Sequence, residues 1–224
     1  MPRHLQREIE NLKKKILHLS VVVEESVQNA IKAVENRDPK LGRNIIDHDQ
    51  EIDQLEVDLE EEGLKILALH QPVAIDLRFI IAVLKINNDL ERIGDLAVNI
   101  AERGVFLSGH RDLDIPPDIL RMESLAQVML RKSLDALVNL DSPLARDVCL
   151  SDDEVDRLHQ GIFAKIHSEI RRRPEDLESL IQILSISRYL ERIADHATNI
   201  AEGVIFMVKA RVIKHHADCK PDDD

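Results

Sequence analysis

Eight carboxylates in this chain fall into two sets built alike. Asp49 and Asp53 stand four residues apart, as do Glu91 and Asp95, and Asp152 with Asp156 and Glu191 with Asp195 repeat both pairs about one hundred residues later. Residues at i and i+4 share one face of an α-helix, so each pair sets two like charges side by side. That costs a few tenths of a kcal/mol when exposed and more when partly buried. A repulsion kept in duplicate points to a cation held between helices. Carboxylates with an amide and no cysteine make a hard-oxygen environment. It suits Mg, Mn or Ca and tolerates Fe or Zn, and four carboxylates from two helices can bridge more than one ion.

The alternative is a solvated acidic face, and the helical projection argues against it. At about 100° per residue, Glu91, Asp95, Asn99 and Glu102 fall within a sector of roughly 80°. Followed backwards, that sector passes through Leu77, Ile80 and Leu84, and in the later copy through Leu177, Leu180 and Leu184, so the acids continue a stripe that begins apolar. Ile86, Leu90, Ile93, Ala97 and Ile100 supply a separate packing face, and Arg78, Lys85, Asp89, Arg92 and Arg103 read as the water face. His196 follows Asp195 where the first copy has Leu96, so the two sites can differ in affinity. A lone histidine more often packs or faces solvent than ligates, and the other nine give no better signal.

The elements that carry these acids are duplicated. The segment from Leu90 to Glu102 returns from Leu190 to Glu202, 100 positions on and identical at all but three of thirteen residues. Ala33 to Leu55 aligns on Ala136 to Leu158 at an offset of 103, so three residues are missing from the second half, most simply in the loop around Gln71-Pro72 and Arg173-Pro174. Two halves follow: residues 1 to 110 and 118 to 213, joined by a proline-containing linker at 111 to 117, with a frayed tail at 214 to 224. Asp38-Pro39, Gln71-Pro72, Ser142-Pro143 and Arg173-Pro174 mark helix starts, with Asp38 and Ser142 as N-caps. Each half then holds a helix ending near residue 36 or 140, a second running to about 70 or 172 and a third to about 107 or 212. The expected fold is all-α: six long antiparallel helices in two tandem, similar three-helix bundles.

Composition excludes several functions. A net charge of -12 with 2% aromatic residues does not suit nucleic-acid binding, which wants a basic surface. No uncharged apolar stretch approaches membrane-spanning length, and the amino terminus lacks a secretory signal's apolar run. The basic-apolar tract from Val204 to Lys214 could touch an anionic membrane surface, though the end of a core helix explains it more simply. Cys149 and Cys219 sit at no metal-ligand spacing and suggest a reducing cytoplasm. There is no Gly-rich phosphate loop and no nucleophile motif.

The paired Leu-Glu-Arg-Ile-x-Asp-x-Ala-x-Asn-Ile-Ala-Glu segments, 100 residues apart in a chain of this plan, closely resemble the PhoU family of bacterial phosphate-regulatory proteins, from about Leu5 to Lys214. The resemblance implies two similar three-helix bundles whose acidic motifs bind multinuclear metal clusters. That role is carried onto Asp49, Asp53, Glu91, Asp95, Asp152, Asp156, Glu191 and Asp195, with Asn99, Glu102, Asn199 and Glu202 as additional ligands or supporting groups. Leu96 departs from the histidine often found after the motif aspartate, which removes a histidine contribution from the first site. The resemblance further implies a non-enzymatic cytoplasmic adaptor, a homodimer, that restrains the phosphate ABC transporter at its ATPase and supports repression through the phosphate sensor histidine kinase. Two rivals are an all-α metal-dependent hydrolase of the nucleotide pyrophosphohydrolase kind, for which Glu191 and Asp195 have the wrong spacing, and a purely structural bundle. A ferritin-like di-iron enzyme would need Glu-x-x-His pairs, and the chain has none.

Overall fold

The computed structural model describes residues 3–110 and 113–209, and the described residues are helical apart from short connections. In chain order the helices are α1 (Arg3–Glu35), α2 (Pro39–Asp47), α3 (Asp49–His70), α4 (Ala74–Ser108), α5 (Pro117–Asn139), α6 (Ser142–Arg172) and α7 (Leu177–Lys209), with a 3-10 turn at Pro174–Asp176 before α7. The six-helix plan holds, with one difference. The second helix of the first half is broken at His48 into α2 and α3, whereas its counterpart α6 runs through the equivalent Ser151. The His48 N–H closes α2 on the Asn44 and Ile45 carbonyls, and Glu51 N–H restarts the next helix on the His48 carbonyl. Asp49 thereby becomes the first residue of a helix, where the axial dipole favours a carboxylate.

Sequence punctuation sets the hairpins. Arg37 and Leu140 end α1 and α5 in the left-handed region, at φ 53° and 52°, and an aspartate follows each. Asp38 caps α2 by accepting from the Lys40 and Leu41 amides at 2.9 and 3.1 Å. In the second half the cap is Asp141, which accepts from Leu144 N–H at 2.9 Å. Ser142, expected as the cap, is already the first helical residue. Pro72 and Pro174 also sit upstream of where their helices begin, since α4 starts at Ala74 and α7 after the 3-10 turn.

One hydrophobic core runs through both halves. The Ile86, Leu90, Ile93, Ala97 and Ile100 face of α4 and its copy on α7 are buried, and the two helices pack along each other. They run antiparallel: Arg78 Nε donates to the Met207 carbonyl at 3.3 Å, Lys85 lies over the Phe206 ring, Gly203 faces Ile86, and Asp89 meets His196. Arg78, Lys85 and Asp89, read from the sequence as a water face, are therefore in large part the seam between the halves. Periodicity within one helix registers polarity, and a long polar side chain can lie along a packed seam with its tip satisfied.

The proposed linker also packs: Leu113 is buried, and its carbonyl accepts from the Arg37 guanidinium, which also binds the Leu107 carbonyl at 2.5 Å and that of His110 at 3.0 Å. Arg37 thus satisfies backbone acceptors at and beyond the end of α4. Residues 111–112, the end of the second half from 210, the tail at 214 to 224 and Cys219 lie outside the described residues. Cys149 is buried.

Candidate functional site

The acids lie along each half's second and third helices, exposed or half-buried except for Asp152. In the first half Asp49 and Asp53 come from α3, and Glu91 and Asp95 from α4. Their electrostatics show that they are gathered. Burial first, then the charges of Asp53 and Asp95, raise the Asp49 carboxyl above its ordinary pKa. Glu91 is raised by burial and Asp95, opposed by Arg92, then raised further by Glu56 and Asp53. Buried Glu91 Oε2 has no hydrogen-bond partner, and the Arg92 Nε stands 3.4 Å away. Asp95 is partly neutralised by Arg92 Nη1 at 3.0 Å. Glu56, raised by burial, Glu60 and Asp53, is a member of this cluster that sequence reasoning missed. Its position one helical turn after Asp53 was the available signal.

The second half assembles Asp156 from α6 with Glu191 and Asp195 from α7. Glu191 is raised by burial, Asp195 and Asp156, and opposed by Arg188 and Arg192. Asp152 lies on the same helix one turn earlier and is buried, only 6% exposed. The position equivalent to Glu56 holds His159, also missed. Burial pushes its imidazole below the usual range; Asp156 works against that and Arg188 adds to it.

The amides and outer acids behave differently. Asn99 Nδ2 donates to the Asp95 carbonyl of its own helix at 2.7 Å, and Glu102 is exposed beside Arg103 at 3.5 Å. His196 Nδ1 lies 2.8 Å from Asp89 Oδ1, and Asn199 Nδ2 donates to the same oxygen at 3.3 Å. Their contact is with the other half of the molecule. Glu202 is half-buried on α7.

Among the described residues, no three or more His, Cys, Asp or Glu side chains converge into a metal-binding group. The donor set nevertheless fits a hard divalent cation: carboxyls raised by burial and then by one another's charge and, in Glu91, a buried oxygen with no hydrogen bond beyond the ion pair to Arg92 Nε at 3.4 Å. The fit lies in donor chemistry and charge, and coordination would require the side chains to draw inward.

A PhoU domain model matches residues 16–104 and again 119–204. The chain belongs to the PhoU family. It is 33% identical over 209 residues to the phosphate-specific transport system accessory protein PhoU homolog of Clostridium acetobutylicum, covering 93% of this chain and 95% of that protein. The Aquifex aeolicus homolog is 34% identical over 211 residues, with 94% and 96% covered. The crystal structure of PhoU from Pseudomonas aeruginosa superimposes with a TM-score of 0.88 at 34% identity, over 92% of this chain and 99% of that one. The phosphate transport system regulatory protein PhoU from Streptococcus pneumoniae gives 0.89 at 26% identity, covering 94% and 100%. The two PhoU matches coincide with the internal duplication, and each contains one acidic cluster. The curated relatives are named as accessory proteins of a transport system.

Proposed function

We propose that this chain regulates phosphate uptake and phosphate-starvation signalling by binding, as a cytoplasmic adaptor with no catalytic step of its own. The observation that carries the reading is the match of both PhoU domains, together with near-complete coverage of relatives that are phosphate transport accessory proteins. Among the described residues no helix is long and apolar enough to cross a membrane. Influence on a membrane transporter then requires docking, most directly on its cytoplasmic ATPase, with a second contact to the sensor histidine kinase.

Asp49, Asp53, Glu91 and Asp95 in one half, and Asp152, Asp156, Glu191 and Asp195 in the other, would hold divalent or ferric ions. A bound ion would supply the positive charge these carboxylates lack. The chain's own part is to hold α3 against α4, and α6 against α7, so that their acids face each other while the packing faces stay buried. Asn99, Asn199, His196 and Glu102 are better assigned to helix and interhalf contacts than to the ions. We also expect a homodimer, because the α3–α4 end exposes Leu69, Val73 and Ile75; light scattering at the mass of a single 25.5 kDa chain would exclude it.

Deleting the gene in its host is expected to leave phosphate-starvation genes switched on in phosphate-rich medium, with excessive phosphate uptake. Normal repression in that strain, with no duplicate gene, would remove the regulatory reading. Full rescue by a variant lacking Glu91, Asp95, Glu191 and Asp195 would retain it and make the metal incidental to docking.

A further inference from the structure

The duplication relates two grooves on the face that α1 and α5 share. These helices lie side by side and antiparallel: Glu24 meets the Arg131 guanidinium near their middle, and Lys13 stands at the same end as Val138. At that end α1, α4 and α5 enclose a cavity of about 240 Å3 lined by Lys13, Lys14, Leu17, Phe79, Leu137 and Val138, with Glu10 beside them. At the opposite end the aligned positions, 103 residues away, hold Leu120 for Leu17 and Glu35 for Val138. They line an open cavity of about 550 Å3 with Arg37, Asp114 and Ile115. The two grooves differ in sign. At the first, Lys13 lies 5.4 Å over the Phe79 ring and pairs with Glu10 at 3.4 Å, while Lys14 is exposed. At the second, backbone carbonyls engage the Arg37 guanidinium, which leaves exposed Glu35 and Asp114 to set the charge. Glu123 adds to it: burial and then Glu35 raise its carboxyl, against the pull of Lys32. Between the grooves the same two helices expose Val21 and Val128, by 52% and 48%.

We propose that a second copy of this chain docks on the α1–α5 face, antiparallel to the first, so that the lysine groove of each copy meets the glutamate groove of the other. The inference rests on the reading that the chain is a homodimer, and it names the surface. A two-fold axis lying in that face and perpendicular to the helices exchanges its ends, so opposite charges meet twice. A contact using one groove of each copy would leave the other pair open and continue into chains. Lys13 and Glu35 are about 33 Å apart along α1, and two helices side by side are about 20 Å across. The resulting footprint of about 700 Å2 per copy is on the scale of a specific interface, about 800 Å2 per partner. Leu69, Val73 and Ile75 lie at the lysine end, where Glu8 meets His70, and border the contact.

The test is light scattering and sedimentation of the full-length protein at micromolar concentration, with circular dichroism melting as the check on folding. Wild type is expected at twice the 25.5 kDa chain mass. Lys13→Glu with Lys14→Glu, and separately Glu35→Lys with Asp114→Lys, should each weaken pairing at least tenfold. An equimolar mixture of the two variants should restore it, because both contacts are then again between opposite charges. If either reversal fails to fold, Val21→Asp at its exposed position should weaken pairing to the same degree. Pairing that survives these variants, a mixture that fails to pair, or a mass that grows with concentration beyond two chains overturns this surface and leaves self-association standing. Wild type at the mass of a single chain overturns both.

Discussion

The two halves repeat each other where they must pack and differ where they face the acids and one another. Leu90, Ile93, Ala97 and Ile100 match Leu190, Ile193, Ala197 and Ile200, all buried without exposure. One step outside that face the copies diverge. Asp89 reaches His196 and Asn199, while the pseudo-equivalent positions, Tyr189, Leu96 and Asn99, offer no such clamp, and Asn99 turns back onto its own helix. The tight contact between second and third helices also differs. Gly94 on α4 admits Ile52 of α3, because a Cβ there would lie 3.0 Å from the Ile52 Cδ1; the second half has Ala194 and Val155. A methyl group has in effect moved from one helix to its neighbour. The acids therefore rest on two versions of one scaffold, free to acquire different affinities.

If the shared core makes the halves one unit, Leu90→Ala and Leu190→Ala should each destabilise the whole chain by about 2–5 kcal/mol, with one cooperative transition by calorimetry. Two separate transitions, only one of them moved by each variant, would show that the halves fold independently. Gly94→Ala is expected to cost up to about 2 kcal/mol net, overpacking against Ile52 less the roughly 1 kcal/mol that alanine gains in a helix, and Ile52→Val should recover much of the overpacking. Ala194→Gly in the second half should cost about 2 kcal/mol, the helix penalty of glycine plus the lost burial of a methyl group. Urea unfolding of the single and double variants measures both, and additive effects at 52 and 94 would break the compensation.

A smaller effect belongs to the clamp. Asp89→Ala removes the acceptor shared by His196 and Asn199 at a partly exposed site, for an expected loss of about 1 kcal/mol. Substituting Tyr189→Phe should leave stability within about 0.5 kcal/mol. Equal losses at 89 and 189 would show that the seam is more symmetric than its hydrogen bonds.

The smallest expected effect is electrostatic and pH-dependent. The Glu91 and Glu191 carboxyls are raised in the folded chain, first by burial and then by neighbouring acids. The native state therefore binds protons more readily than the unfolded chain, so these groups' contribution to stability falls as pH rises from the ordinary carboxylate range through the folded pKa. Without divalent ions, Glu91→Gln or Glu191→Gln should raise the melting temperature at pH 7 by about 1 °C, the scale of one exposed like-charge pair, and the gain should shrink toward pH 5. A fall in melting temperature at pH 7 in chelator would contradict the repulsion.

Much of the fold was legible because duplication supplies its own alignment. Two copies of Leu-Glu-Arg-Ile exposed the third helices, paired prolines and aspartates marked the hairpins, and the apolar spacing of α4 named its buried face correctly. The break at His48 was not legible. His48 and Ser151 both bind a carbonyl four residues back, His48 Nδ1 at 2.7 Å and Ser151 Oγ at 2.8 Å, yet only one helix restarts there. The seam was hidden because it depends on how α4 meets α7, which no single-helix projection contains; hence Asp89 read as a solvent residue and the partner of His196 went unseen. Glu56 and His159 were visible at the 103-residue offset, but they differ in type, and a search for repeated acids passes over a position where an acid has become an imidazole.

Elemental analysis of untagged protein, purified and dialysed against Mg2+, Mn2+, Ca2+, Zn2+ or Fe2+ in turn, tests most directly whether the duplicated acids hold cations. At least one of these ions should remain at one or more equivalents per half, with Asp95→Asn lowering the content of the first half and Asp195→Asn that of the second, and chelation should lower the melting temperature at neutral pH. Metal content indistinguishable from the dialysis buffer for all five ions, unchanged in both variants and without effect on melting, would contradict the account.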